Sequence, residues 1–126
     1  MSSQKHILCV DDDKDSCELI TFMLKASSDL DVSSVHTATD AVSLIASQTF
    51  DLYILDYRLP GLTGIELCRL IRKSDSDTPI VFFTAMAYEK DRKSAMEAGA
   101  NVYLVKPNDI EIFTDTIEKL LKAQEK

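Results

Sequence analysis

The stretch from Phe50 to Gly64, FDLYILDYRLPGLTG, decides the fold of this chain. Its four consecutive apolar residues, Leu52–Leu55, are typical of a short strand that is buried on both faces. Asp56 follows directly, and a proline and two glycines then turn the chain. An acid at the carboxyl end of a buried parallel strand lies where open α/β sheets bind their ligands. Asp is also a common turn residue, so the rest of the chain must decide between the two interpretations.

Length and charge exclude several classes of protein. A chain of 126 residues suits one domain with a sizeable core. The net charge of −7 argues against nonspecific binding to nucleic acid or to anionic membranes. No apolar run is long enough to span a bilayer, and Met1–Lys5 does not begin a signal peptide. We therefore expect a cytoplasmic domain that binds neither nucleic acid nor membrane directly.

The cysteines and histidines show no spacing that is typical of a metal site. Cys9, Cys17 and Cys68 are unpaired in the sequence, which favours buried reduced thiols over a disulfide or a zinc site. Neither His6 nor His36 has a carboxylate or thiol at ligand spacing, so we interpret both as structural or solvated.

Short apolar runs alternate with helical patterns five times along the chain. Five βα units in strict alternation predict a parallel sheet with helices on both faces. No linker or repeat interrupts them, so residues 1–126 are interpreted as one domain. The second run is the least apolar and is expected near an edge of the sheet. The predicted strands are Ile7–Val10, Val32–Val35, Leu52–Leu55, Ile80–Phe83 and Val102–Val105.

The helices are indicated by apolar residues that recur every three or four positions. We expect Thr39 to cap the second helix, Gly99 to end the fourth, and Asn108 with Glu111 to form a capping box before the last. The predicted helices run from about Asp15 to Lys25, through positions 41–45, from Ile65 to Arg72, from Tyr88 to Ala98, and through the apolar positions from Ile110 to Leu121.

Polar side chains follow four of the five predicted strands. Asp11 and Asp12 follow the first strand, Asp56 the third, Thr84 the fourth and Lys106 the fifth. Because the carboxyl ends of parallel strands share one edge of the sheet, we expect these side chains to face one crevice. Clustered carboxylates repel one another and either take up protons or recruit a cation.

This set of side chains suits phosphoryl chemistry. An acidic site with oxygen ligands only suits Mg²⁺, which takes one or two protein carboxylates and keeps several waters. A Mg²⁺ and Lys106 would neutralise a phosphoryl group beside Asp56, and Thr84 could donate a hydrogen bond to it. The sequence therefore indicates phosphoryl transfer onto a carboxylate, a form of nucleophilic catalysis.

On these residues the chain resembles the receiver domain of two-component response regulators over essentially its full length. The matching segments are ILCVDDD (residues 7–13), ILDYRLPGLTG (54–64), VFFTA (81–85) and AGANVYLVKP (98–107). The resemblance implies a doubly wound, flavodoxin-like fold of five parallel strands in the order 2-1-3-4-5 with five helices.

The resemblance also implies roles around the acceptor. Asp56 would take a phosphoryl group from a phosphohistidine of a sensor histidine kinase or phosphotransfer protein. Asp12 would bind Mg²⁺ directly and Asp11 through water, and Asp56 and the backbone carbonyl of Arg58 would be further ligands. Such a domain catalyses only its own phosphorylation and dephosphorylation.

Three further positions would carry the response. By resemblance, Thr84 and Lys106 would contact the phosphoryl oxygens, and the Lys106-Pro107 bond would be cis. Tyr103 would be the switch aromatic, whose ring turns inward as Thr84 moves toward the phosphate. The downstream protein target would bind the face formed by the fourth helix, the fifth strand and the last helix.

Two alternatives remain open. Haloacid-dehalogenase-like phosphatases place an Asp nucleophile after the first strand and a second Asp two residues on, a spacing that Asp11 and Asp13 satisfy. Against this, the chain has no room for a cap domain and Asp56 would have no role. The other alternative is a pseudo-receiver that acts only as a binding module, but such domains normally lack a site residue.

Overall fold

The computed structural model describes residues 4–27 and 29–124, in which five strands and five helices alternate. All neighbouring strands are parallel, in the order β2-β1-β3-β4-β5. The doubly wound class and the strand order are therefore confirmed. The strands are β1 (Lys5–Val10), β2 (Leu30–Val35), β3 (Leu52–Leu55), β4 (Ile80–Thr84) and β5 (Val102–Val105). The helices are α1 (Lys14–Ser27), α2 (Ala38–Ser47), α3 (Gly64–Ser74), α4 (Glu89–Ala98) and α5 (Ile110–Ala123).

The central position of β3 in the sheet explains why its sequence does not alternate between apolar and polar residues. All four of its side chains are buried. Because successive side chains point to opposite faces of a sheet, Leu52 and Ile54 enter the core under α1 and α5. Tyr53 and Leu55 enter the other core, under α2, α3 and α4. A strand covered by helices on both faces needs apolar residues at every position.

Strand β2 lies at one edge of the sheet, as its weaker apolar pattern indicated. It begins at Leu30, two residues before the predicted start, because it pairs with β1 along that strand's full length, from Lys5 to Val10. Only Leu30 among its six residues is fully buried. An edge strand with one covered face tolerates this polar content.

The cap of α2 was predicted two residues too late. Thr37, not Thr39, is the N-cap residue, and its side-chain hydroxyl accepts a hydrogen bond from the Asp40 N–H at 3.0 Å. Thr37 has the extended backbone that an N-cap requires, with φ −136° and ψ 156°, whereas Thr39 is already inside the first turn. Gly99 ends α4 in the left-handed conformation, with φ +118°, as predicted.

The capping box predicted for α5 is absent among the described residues. Asp109 rather than Asn108 precedes the helix, and it makes no side-chain cap. The Asp109 carboxylate instead accepts a hydrogen bond from the Val105 N–H at 2.8 Å, which closes the turn after β5. A complete capping box lies at α3, where the Thr63 hydroxyl accepts from the Glu66 N–H and the Glu66 carboxylate accepts from the Thr63 N–H.

The three cysteines are buried free thiols, as the sequence indicated. Within residues 4–27 and 29–124, no helix combines the length and the apolar character that crossing a membrane would require.

The core under α5 can be tested with two adjacent residues. Phe113 has no exposed surface and stacks on Phe83 at a centroid distance of 4.6 Å, whereas the side chain of Ile112 is 51% exposed. Phe113→Ala should lower the free energy of unfolding by about 3–5 kcal/mol. Ile112→Ala should change it by no more than about 0.5 kcal/mol. Chemical denaturation measures both, and equal losses would contradict this placement of α5.

Candidate functional site

Three carboxylates meet at the carboxyl edge of the sheet. Strands β1 and β3 are neighbours with Val10 opposite Leu55, so the residues that follow them emerge side by side. The Asp56 N–H donates to the Val10 carbonyl at 3.0 Å, which fixes this register one residue beyond the strands. One side-chain oxygen each of Asp11, Asp12 and Asp56 lies within 4.8 Å of the other two. Asp11 is buried, Asp56 half-buried and Asp12 exposed, so the cluster opens to solvent on one side.

Lys106 extends across the edge from β5 to this cluster. Its ammonium lies 2.6 Å from Asp11 Oδ2 and 3.5 Å from Asp56 Oδ2. It also donates to the Ser16 hydroxyl at 3.3 Å, a contact that the sequence did not indicate. The Lys106-Pro107 bond is cis, as the resemblance implies. One cation therefore contacts two of the three carboxylates.

The charges of the cluster do not balance. Burial raises the pKa of Asp11, and the nearby charge of Asp56 adds to this, although the hydrogen bond from Lys106 opposes it. For Lys106 burial lowers the pKa, but the hydrogen bond to Asp11 and the charges of Asp56 and Asp11 outweigh burial, so the pKa is raised. Lys106 is therefore an ammonium at neutral pH. A single ammonium among three carboxylates leaves room for a further cation.

The donor set fits a hard divalent cation. The cluster offers carboxylate oxygens only, without imidazole or thiol, and such ligands suit Mg²⁺, Ca²⁺ or Mn²⁺ rather than zinc or copper. Arg58 lies two residues beyond Asp56 in the β3–α3 loop, with its side chain exposed.

Thr84 and Tyr103 both make hydrogen bonds with the backbone of Met86, which lies in the loop between β4 and α4. Thr84 ends β4, is fully buried, and its hydroxyl accepts from the Met86 N–H at 3.3 Å. Tyr103 lies in β5, stacks on Phe82 at 5.7 Å, and donates its hydroxyl to the Met86 carbonyl at 2.7 Å. The Tyr103 ring, which we expected to turn inward during switching, already lies inside the protein.

His36 adjoins the site, which its sequence spacing did not reveal. Its Nδ1 lies 3.0 Å from the Asp11 carbonyl and 3.7 Å from Cys17 Sγ. His36 directly follows β2, so a polar residue stands at the carboxyl end of all five strands. The same rule that assembled the other candidates, applied to the second strand, would have identified it.

Gly64 allows α3 to begin against the backbone of Asp56. The Gly64 N–H donates to the Tyr57 carbonyl at 2.8 Å. A Cβ on Gly64 would lie 2.1 Å from the Asp56 carbonyl oxygen and 3.0 Å from the Phe82 ring. No side chain fits there, so glycine is needed for this close approach.

Comparison with known proteins agrees with this geometry. The family model of the response regulator receiver domain matches residues 7–118. An uncharacterized transcriptional regulatory protein, YkoG of Bacillus subtilis, is 33% identical over 93% of this chain. That match covers 51% of YkoG, and the chain spans about half the length of the other curated relatives as well.

Solved structures show the same fold. A CheY-like receiver domain protein from Methanospirillum hungatei is 28% identical, with a TM-score of 0.90 and 98% of each chain covered. The response regulator TrrA of Thermotoga maritima, solved in complex with Mg²⁺ and BeF, is 30% identical with a TM-score of 0.83, covering 93% of this chain and 99% of its own.

These matches give no support to the phosphatase alternative. Its second carboxylate would be Asp13, which in the structure is engaged at the start of α1. The Asp13 carboxylate accepts hydrogen bonds from the Asp15 N–H at 3.0 Å and from the Ser16 hydroxyl at 3.3 Å.

The close approach at Gly64 can be tested against Gly61, which lies in the loop just before α3. Gly64→Ala should move the backbone of Asp56 and destabilise the fold by about 1–3 kcal/mol, because the added Cβ overlaps a carbonyl oxygen. Gly61 has no atom within 4 Å of an added Cβ but a φ of +83°, so Gly61→Ala should cost only about 1–2 kcal/mol of backbone strain. Amide chemical shifts of Asp56 and Tyr57 distinguish the two, since only Gly64→Ala should move both. Unmoved shifts in Gly64→Ala would disprove the steric argument.

Proposed function

The chain belongs to the response regulator receiver domain family, and on that premise we propose that Asp56 is its phosphoryl acceptor. The observation that carries the proposal is the position of Lys106, whose ammonium lies 3.5 Å from Asp56 Oδ2 in a cluster of three carboxylates. Lysine in this position can neutralise charge on a group attached to Asp56. Asp11, Asp12, Asp56 and the backbone carbonyl of Arg58 would hold a Mg²⁺ ion.

The proposed reaction is one displacement at phosphorus. A carboxylate oxygen of Asp56 attacks the phosphorus of a phosphohistidine, and the bond between phosphorus and the imidazole nitrogen breaks, leaving its electron pair on the imidazole. Lys106 offsets the negative charge of the phosphoryl oxygens, and the Thr84 hydroxyl donates to one of them. A bound Mg²⁺ would add positive charge at the same oxygens. The chain's own chemistry would then be limited to its phosphorylation and the hydrolysis of that phosphoaspartate.

We further propose that the domain signals through protein partners. The phosphoryl donor would be a sensor histidine kinase or a phosphotransfer protein. The downstream target would bind the face of α4, β5 and α5, where two large apolar side chains, Tyr88 and Ile112, are 70% and 51% exposed. Apart from one carboxylate, the buried side chains of α4 are two alanines, so this helix is weakly anchored and free to respond.

The wider setting of the domain is also proposed. We take residues 1–126 as a single receiver domain working in the cytoplasm. With a net charge of −7, it would not itself contact nucleic acid. If the domain works within a longer regulator, DNA binding would fall to the rest of that protein; one relative, MtrA of Mycobacterium tuberculosis, is named a DNA-binding response regulator.

Phosphorylation by a small donor tests the acceptor. Incubation with acetyl phosphate and Mg²⁺ should label Asp56 alone, because its carboxylate is the one that both faces solvent and contacts Lys106. Peptide mapping by mass spectrometry locates the label. Asp56→Asn and a chelator should each abolish it. Label on Asp11, or undiminished label in Asp56→Asn, would overturn the assignment.

Mg²⁺ should stabilise the fold by binding the folded site alone. At a hundredfold excess over its dissociation constant the ion should add about 2.7 kcal/mol to the free energy of unfolding. Asp12→Ala should lose this response, and in chelator it should be at least as stable as wild type because one repulsive charge is gone. Asp15→Ala, an exposed acid in the first turn of α1, is the matched control and should keep the response. Melting curves of wild type that do not change with Mg²⁺ would argue against the metal site.

A further inference from the structure

The hydroxyl of Tyr53 is a polar group inside the protein to which the fold gives no partner. Tyr53 lies in β3 with only 3% of its surface exposed, and its ring packs against Phe50 at a centroid distance of 5.9 Å. The hydroxyl makes no hydrogen bond with another described residue, and it is not one of the unbonded side-chain oxygens that are fully enclosed. It therefore faces a cavity. Native proteins pair most of their buried polar groups, so this hydroxyl is suited to bond something outside the chain.

That cavity lies between the carboxyl-terminal ends of α2 and α3. Tyr53 and Asp75 both line it, and its volume is about 230 Å³. A second compartment of about 260 Å³ adjoins it, because Ile45, Ile71 and Ser74 line both. The two compartments form one groove, which we call the α2–α3 groove. Since helices of a parallel sheet end at the edge where the strands begin, the polar end of this groove lies opposite to the acidic cluster.

The second compartment offers apolar surface to an occupant. Val42 of α2 and Leu70 of α3 line it, and each is 41% exposed. Leu67 and Ile71, which are buried, line it as well. Sites for small molecules typically combine such an apolar wall with a few polar groups that fix the orientation of the ligand. The α2–α3 groove has both parts, with the Tyr53 hydroxyl at its polar end.

The charge at the polar end favours a cation. Asp75 is the one charged side chain among the described residues that line either compartment. Burial raises the pKa of Asp75, but the hydrogen bonds that it accepts from Thr78 and Asp77 and the charge of a nearby arginine outweigh burial, so the pKa is lowered. Asp75 is therefore a carboxylate at neutral pH. The carboxyl end of α2, which has no basic residue in its last turn, adds negative potential.

The basic side chains at the end of α3 do not occupy the groove. The Arg72 guanidinium donates to the carbonyls of Gly99 at 3.0 Å and of Asp75 at 2.9 Å, and to Asn101 Oδ1 at 3.1 Å. These bonds direct it toward the connection between α4 and β5. Lys73 is exposed and, like Arg72, lines neither compartment. The Asp75 carboxylate thus keeps its charge on the side of the groove.

We propose that the α2–α3 groove binds a small organic cation with an apolar body. The body packs against Val42 and Leu70, and the cationic group donates to the Tyr53 hydroxyl beside the Asp75 carboxylate. An anion of the same shape is repelled by that carboxylate, and a neutral molecule gains no charge-assisted hydrogen bond. The site lies at the edge of the sheet opposite to Asp56, so it does not depend on the proposed phosphorylation.

Three probes with one apolar body test the preference for a cation. Phenethylamine is a cation at neutral pH, phenethyl alcohol carries no charge, and phenylpropionate is an anion. Each is titrated into the full chain and followed by amide chemical shifts. The amine should shift the amides of Tyr53 and Asp75 and should bind about fivefold more tightly than the alcohol. Phenylpropionate should bind more weakly than either.

Variants test the two polar groups. Tyr53→Phe should weaken binding of the amine about tenfold and leave the melting curve unchanged, because the hydroxyl bonds no described residue. Tyr88→Phe is the matched control, since Tyr88 precedes α4 outside the groove and is 70% exposed. It should bind the amine as wild type does. Asp75→Asn should remove the preference for the amine over the alcohol, whereas Asp77→Asn, an exposed acid of the same turn, should keep it.

Each outcome decides the inference. Shifts in the groove that Tyr53→Phe weakens and Tyr88→Phe retains would support it. Equal affinity of wild type for the amine and the alcohol would overturn it, as would amine binding that Tyr53→Phe leaves unchanged or shifts that are confined to the acidic cluster. A melting curve first shows that Asp75→Asn is folded. If it is not, the comparison of amine and alcohol on wild type still tests the role of charge.

Discussion

Mutual repulsion of three carboxylates is the constraint on which the rest of this molecule depends. Asp11, Asp12 and Asp56 converge within 4.8 Å, and Asp11 is buried. Such a cluster is unfavourable unless positive charge enters it. Lys106 supplies part of that charge from the end of β5, and it crosses the ends of β4 and β3 to reach Asp11. The remaining imbalance is what makes this edge of the sheet receptive to a cation.

The fold keeps this repulsive cluster in place through rigid neighbours. Strand β3 is buried on both faces, and its register with β1 extends one bond beyond the strands to Asp56. On the far side of Asp56 the capping box of Thr63 and Glu66 fixes the start of α3. The lack of a side chain at Gly64 lets that helix touch the Asp56 carbonyl. Asp56 is thus held on both sides by main-chain contacts, which do not depend on the charge of its side chain.

The opposite side of the site is held more loosely. The Met86 N–H donates to the Thr84 hydroxyl, and the Met86 carbonyl accepts from the Tyr103 hydroxyl. A single loop residue therefore links β4, β5 and the entry to α4. Beyond it, α4 buries two alanines and the carboxylate of Asp91. A rigidly held Asp56 beside a weakly anchored helix is an arrangement in which a local change of charge would become a change of shape.

The sequence alone determined the fold class, the number and alternation of elements, and the bounds of β3 and β5, because these follow from local apolar patterns. It also determined which side chains would lie at one edge, since Asp11, Asp56 and Lys106 each follow a strand. Local patterns could not decide between Thr37 and Thr39, because a cap depends on the backbone angle at which the chain enters the helix. They could not show that His36 contacts the Asp11 carbonyl, or that the Tyr103 ring lies inside and its hydroxyl donates to the Met86 carbonyl. The first contact joins residues 25 positions apart in the chain and the second joins residues 17 apart. Only the pairing of the strands in the folded sheet brings such residues together.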